Sequence, residues 1–523
     1  MISVSESWKK AHEGALLPES FLEISVGFSD VEARDLVTAT SESEAAFSNL
    51  QNVVGDIDAP SPANYATLEH NLWLLDGSRN IVPDVAPHNT PGYVSADDAE
   101  GNVTLTLPGV RAQAIPGFTI TWSSEYGEYP TAFSVEARNG GTVIASILVT
   151  DNASNVTEVP LEISDYDQVV INILEWNYPD HRMRVDRIYF GHVFAFGKKD
   201  ILGYTHEQYG NLLSGELPKA SIEFSLDNVD GKWNPSNPTG WGKYLSERQT
   251  VTARYGLYVD SSIEWIKAGT FYLSEWRTPS NGLAAHFAAR DIFEFMLNDT
   301  YTGITTGTAA AIIQNAFDIS DLPTGFSARL DPSLNEVSVT MPDEKHTIAE
   351  VVQMCANLSR CVAYQDREGV LHVEPLNTTA SDYAISSFVA YAHPEVELSK
   401  PLKNVSVAYG ENTYVLDVSN SGETQTVSNP FVTTFNDAEA IALWVRDMLE
   451  QRTVVTGEFR ANPCLDVFDI VAVASKYGVI APVVITDIKY SYTGAFQASY
   501  TGRVIPAKAS TLGNFVLGKS VLG

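Results

Sequence analysis

Cysteine is scarce: three residues (Cys355, Cys361 and Cys464) in a chain of 523. That excludes a disulfide framework, and none of them forms the CxxC pairing of a thiolate zinc site. Long apolar runs are missing too. No stretch reaches the ~18 residues that a membrane-spanning helix needs. The first residues, "MISVSESWKK", lack the apolar region of a secretion signal. Folding in the cytoplasm with no membrane anchor is therefore expected, and sequons such as Asn102–Thr104 and Asn155–Thr157 read as chance. Positive charge is short as well: 33 Lys and Arg stand against 65 Asp and Glu, a formal net charge of −32. A nucleic-acid footprint needs clustered Lys and Arg, so no sequence-specific nucleic-acid binding is expected.

Catalytic motifs are equally absent. There is no GxSxG elbow, no SxxK, no HExxH helix, and no GxxxxGK[ST] or GxGxxG phosphate cradle. His346 and Glu350 in "HTIAE" have the wrong order for a zinc helix, and Glu350 fits as the capping-box partner of Thr347. No catalytic residue, metal or cofactor is expected. Glycoside hydrolysis needs only two placed carboxylates, and 65 acidic residues offer too many pairs for a choice.

What the chain has is β character. Hydrophobic residues make up 44%, and aromatics 10%, with 23 Tyr, 22 Phe and 9 Trp. The length suggests three or four domains at ~150 residues each. The stretch "SLDNVDGKWNPSNPTG" (225–240) resembles a calcium loop in composition alone. Counting from Asp227, loop positions 3, 5 and 12 fall on Val229, Gly231 and Pro238. None supplies the required side-chain oxygen, and the prolines forbid an exit helix. A turn-rich connection after a strand is expected, with Ile222, Phe224 and Leu226 alternating inward before it.

The expected fold class is mainly β and multi-domain (β plus α/β): two barrel-like domains, a small α/β domain and an inserted β-sandwich jelly roll. Residues 1–66 would open the first barrel, with "FLEISVGF" (21–28) as a strand. Short alternating runs over 67–192, such as "VTLTL", "GFTITW" and "QVVINILEW", predict the jelly roll. The first barrel resumes over 193–300, and 301–400 brings helices at "GTAAAIIQNAF" and "HTIAEVVQMCANLSR". The second barrel covers 401–506, interrupted by a helix capped by Asn436; 507–523, with Leu-Gly repeated at 512, 517 and 522, reads as an extended arm.

Two stretches carry a candidate carbohydrate surface, "WSSEYGEYP" (122–130) and "EWNYPDHRMR" (175–184). Aromatic rings stack on sugars, and His and Arg pair with hydroxyls, usually from loops. The candidates are Trp122, Tyr126, Tyr129, Trp176, Tyr178, His181 and Arg182. The alternative reading makes one tryptophan of each stretch, Trp122 and Trp176, core filler.

Residues 70–192, through "FTITWSSEYGEYPTAFSVEA" and the closing "MRVDRIYFG", resemble the galactose-binding-like (discoidin-type) jelly roll. The remainder resembles the tail hub, or tail-tip proteins, of bacteriophages and related contractile devices. That likeness rests on "IEFSLDNVDGKWNPSNPTGWGKYLSERQTVTARYGLY", on the helix-plus-hairpin unit 344–376, and on "FRANPCLDVFDIVAV" (459–473). Arg248 of "RQTV" and Phe468 stand where such hubs commonly have glycine. The resemblance implies a homotrimeric ring around the tail axis, partnered by tail-tube, distal-tail and tail-tip proteins, with a channel for DNA. It places the protein in the virion, made in the host bacterial cytoplasm, with the jelly roll facing host-surface glycan. A tail-borne glycan- or cell-wall-degrading enzyme and a peripheral receptor-binding protein are the alternatives.

Overall fold

In the computed structural model the described residues are 2–505, except 3, 14–17, 31–32, 34–35, 46–47, 55–64, 67–79, 82–91, 99, 124–125, 260–261, 280–281, 324–325, 378–382 and 461. The arm expected at 507–523 lies outside them. The protein is mostly β, with several sheets and few helices.

The largest element is a 13-stranded sheet. From one edge it runs Gly191–Phe196, Ser20–Ser29, Thr250–Val259, Ser262–Arg277, Ala284–Arg290, Lys219–Asp227 and Ile201–Tyr209. It continues through Gly478–Tyr492, Phe496–Val504 and Thr453–Phe459 to Glu395–Leu398, with Ile470–Ser475 branching from Gly478–Tyr492 and Ala384–Ile385 beside it as the last two strands. The strands alternate inward apolar and outward polar residues, as Ile222, Phe224 and Leu226 do. The two barrel-like runs expected at 193–300 and 401–506 are therefore continuous. Tyr204 to Tyr209 pair with Tyr492 to Asp487, and one hydrophobic core lies inside both runs. The junction leaves no unpaired strand edge between them.

The "SLDNVDGKWNPSNPTG" stretch is a run of turns after the Lys219–Asp227 strand. Its side chains accept from backbone N–H groups two residues on: Asp227 from Val229, Asp230 from Lys232, Asn234 from Ser236, Asn237 from Thr239. Trp233 turns inward, 3% exposed, against Trp241 and Phe287.

A second core gathers the helices Ala309–Asp318 and Ile348–Leu358. Thr347 and Glu350 form the capping box, with Thr347 N donating to Glu350 Oε2 at 2.8 Å. The same core includes the strands Leu402–Tyr409 and Glu423–Val427 and the helix Phe435–Leu449. The boundary expected at 400 thus divides residues that share a core; the same helix also reaches the later strands, where Met448 packs with Ile470 and Val484. The last helix is capped by Thr434, whose hydroxyl accepts from Asp437 N, in place of the expected Asn436.

The sandwich opposes five strands to three. Thr38–Thr40, Gly101–Arg111, Tyr166–Trp176, Pro130–Asn139 and Thr142–Val149 form one sheet; Val156–Val159, Phe118–Thr121 and Arg187–Tyr189 form the other. Its core takes in Ala33, Ala39, Leu50 and Val53, so it reaches earlier than the expected start at 67. The polar Ser/Glu/Asn run around these residues conceals their apolar positions. The chain leaves the large sheet after Ser29 and returns at Gly191, its cross-strand partner. A Cβ on Gly191 would overlap the Phe28 carbonyl, so the close crossing requires glycine there.

Candidate functional site

The two loop stretches meet at one end of the sandwich. Each strand ends in a tryptophan, Trp122 after Phe118–Thr121 and Trp176 closing Tyr166–Trp176. Tyr129 N donates to Asn177 Oδ1 at 3.1 Å, and Asn177 N returns a bond to the Tyr129 carbonyl at 3.0 Å. The loops are thereby fixed to one another by one backbone bond and one side-chain bond.

Glu128 organises the space between them. Although only 5% exposed, it accepts from Trp176 Nε1 at 3.0 Å and contacts His181 Nδ1 at 2.6 Å. A buried carboxylate of this kind must be bonded on both oxygens. Tyr178, 51% exposed, stacks on the His181 ring at 5.5 Å between centroids. The Arg184 guanidinium lies over the Tyr126 ring at 4.5 Å.

Four of the expected contact residues are turned to other roles by this geometry. Trp122 is fully buried against Phe133, with its Nε1 donating to Thr157 Oγ1 at 2.9 Å. Trp176 is buried in the same core. Neither can offer a ring face to a sugar, because the strand alternation that ends at each points the indole inward. Tyr129 packs against the core. Arg182 donates Nη1 to the Ser95 carbonyl at 2.8 Å and also to that of Ala96, so it clamps a neighbouring loop. Tyr178, His181 and Tyr126 remain as the surface. Glu128 and Arg184 were passed over in the sequence, although both lie inside the quoted stretches and Glu128 stands beside Tyr129.

A second concavity, of about 720 Å³, lies where the large sheet meets the hairpin Val362–Glu374. Asp366, Glu368, Glu374, Asp466 and Asp469 make it acidic. At its floor Arg367, 4% exposed, reaches Asp466 with Nε at 2.9 and 3.1 Å and the Leu465 and Lys267 carbonyls at 3.0 Å. His206, Tyr204 and Tyr255 are bonded nearby, His206 Nδ1 to Tyr255 Oη at 2.7 Å. Burial first, then the Arg367 charge, pushes His206 down to about 3. Among the described residues no three His, Cys, Asp or Glu side chains are grouped to hold a metal, and no helix is long and apolar enough to cross a membrane.

Solved structures similar to the chain include the tail protein from Neisseria meningitidis MC58. It matches over 60% of this chain and 94% of its own, at 12% identity and a TM-score of 0.43. A prophage MuSo2 tail protein from Shewanella oneidensis matches over the same 60% and 94%, at 11% identity and 0.41. A family 32 CBM from C. perfringens, solved in complex with galactose, matches over 32% of this chain and 97% of its own, at 10% identity and 0.20. At these identities the likeness concerns the fold alone. No family model matches the chain, and no curated protein does.

Proposed function

We propose that this chain is a structural protein of a bacteriophage tail tip or baseplate, the central hub that joins the tail tube to the tip. Three copies would close a ring around a DNA channel, partnered by tail-tube and tip proteins. The observation that carries the reading is backbone geometry at two positions. Arg248 and Phe468 stand where the resembled hubs have glycine, and both adopt left-handed φ, +65° and +68°. An ordinary side chain gives up about 1–2 kcal/mol to enter that region. A glycine-type turn retained without its glycine supports descent of both segments from hub geometry.

The sandwich serves as the glycan-contacting module, with Tyr178, His181 and Tyr126 as its outer surface and Glu128 holding His181 in place. Chemistry on the glycan is not part of this role.

Deleting the gene tests the hub. No tails should assemble, and purified protein should form threefold rings under the electron microscope. Intact but non-adsorbing particles would overturn the hub in favour of a peripheral receptor-binding protein. For the module, Tyr178→Ala with His181→Ala should weaken binding to host-surface polysaccharide about tenfold, roughly 1.4 kcal/mol, with an unchanged circular dichroism spectrum. Equal binding by both proteins would remove the glycan role.

A further inference from the structure

The Thr142–Val149 strand ends the five-stranded sheet of the sandwich. It pairs with Pro130–Asn139 on one side, and no described strand lies on the other. Natural edge strands are blunted by charge, proline, shortness or a bulge. "TVIASILV" has no charged residue and no proline, in a chain of net charge −32. The register shift opposite Ala137 and Arg138 is its one irregularity, and it leaves Ala145–Val149 in regular register. Val143, Ile144 and Leu148 are 47, 45 and 59% exposed. An uncharged, aliphatic edge of this kind is a template for another strand.

We propose that this edge pairs antiparallel with the same strand of a second copy, about a two-fold axis through Ser146. Two physical constraints select that partner. First, opposed residues in one sheet must share a face, so a two-fold axis normal to the sheet passes through a residue. Centred on Ser146, Ala145 opposes Ile147 and Ile144 opposes Leu148 of the second copy. Every opposed pair is aliphatic or small, and such pairs stabilise a sheet by roughly 0.2–1 kcal/mol each. The contact is isologous, as a two-fold interface requires. Second, like charge keeps copies apart over most of their surfaces. This strand has no ionisable group, and beside it Glu136 and Arg138 neutralise one another at 2.6 Å. The paired strands themselves bring no like charges face to face; the carboxylates Asp151 and Asp167 (which accepts from Gly140 N) stand at the strand's ends.

Ser146→Cys in the full-length protein tests the axis. The native cysteines that are described are all buried, and directly opposed Cβ atoms lie about 4.5–5.5 Å apart, near disulfide reach. Mild oxidation should convert Ser146→Cys to a covalent dimer, while Thr142→Cys, away from the axis, stays single. Ile144→Lys with Leu148→Lys should halve the native mass measured by light scattering, whatever the number of copies in the hub ring. An unchanged mass in the lysine variant overturns the pairing, and so does equal cross-linking at 142 and 146. A purified wild-type chain that pairs with nothing, but is captured through this edge by a different protein, overturns the two-fold partner as well.

Discussion

Replacing Arg367 by Met removes the buried cation of the acidic concavity, and the structure fixes what that should cost. Its Nε bonds both oxygens of Asp466, and its Nη groups bond the Leu465 and Lys267 carbonyls. These contacts hold the tip of the Val362–Glu374 hairpin against both halves of the large sheet. Truncating one partner of a buried ion pair typically costs 3–5 kcal/mol, because the other charge is left without compensation. Asp466 keeps one donor, Gln208 Nε2 at 2.7 Å, which places the expected loss near the lower figure. Arg367→Met with Asp466→Leu replaces both charges by apolar volume and should cost about 1–2 kcal/mol, chiefly the lost partner of Gln208. In urea titrations followed by tryptophan fluorescence, with a slope of about 3 kcal/mol/M, the single variant should fall by about 1 M in midpoint. The double variant should recover about one third to two thirds of that shift. A double variant as unstable as the sum of the two single ones would mean no coupling, and the hairpin would not be pinned by this pair.

His12 provides a pH prediction. Burial first, then Arg460, pushes it down to about 4, and neither ring nitrogen has a described partner. A histidine depressed below its unfolded value of about 6.5 contributes stability that is full above that pH and is lost as pH falls toward 4. The loss approaches about 3 kcal/mol, at about 1.4 kcal/mol per pH unit. The Trp8 ring lies tilted against it, 5.7 Å between centroids, so its fluorescence and the amide exchange of the Glu6–Glu13 helix should change together in that window; His12→Phe should abolish the change. At the left-handed turns, Arg248→Gly should be neutral or stabilising by up to about 1 kcal/mol, whereas Arg248→Val should destabilise by more than that. Phe468→Gly should gain nothing, since its ring covers Gly210 and meets Tyr364 at 5.7 Å; equal thermal shifts for both glycine variants would contradict this.

Much of this was legible in local pattern. Alternation at Ile222, Phe224 and Leu226, the Thr347–Glu350 capping box and the Asp/Asn turns of 227–239 follow from neighbours within a few residues. Their interactions are local, so the sequence displays them directly. What stayed hidden depends on distant partners. The union of the two barrel-like runs rests on Ile201–Tyr209 meeting Gly478–Tyr492, about 280 residues away. The early start of the sandwich rests on Ala39 and Val53 inside a polar run. In the candidate site, the aromatic residue types were readable but their facing was not. Trp122 and Tyr178 are both aromatics in polar loop stretches, yet one closes a core strand and the other rides a turn through Asp180, at φ +59°.

The glycan-contacting role proposed for the sandwich requires that a load on it leave the scaffold undisturbed. Only the connections beside Asp30 and Gly191 carry the chain between them, and Ser29 and Gly191 are paired neighbours. At that neck Asp30, 2% exposed, accepts two bonds from Arg111, at 2.9 and 3.1 Å, and caps Ala33 N at 2.9 Å. A bidentate, desolvated ion pair is stiff and directional. Force applied at Tyr178 and His181 therefore reaches the large sheet through a short, rigid neck, while the scaffold's own strand pairing is untouched.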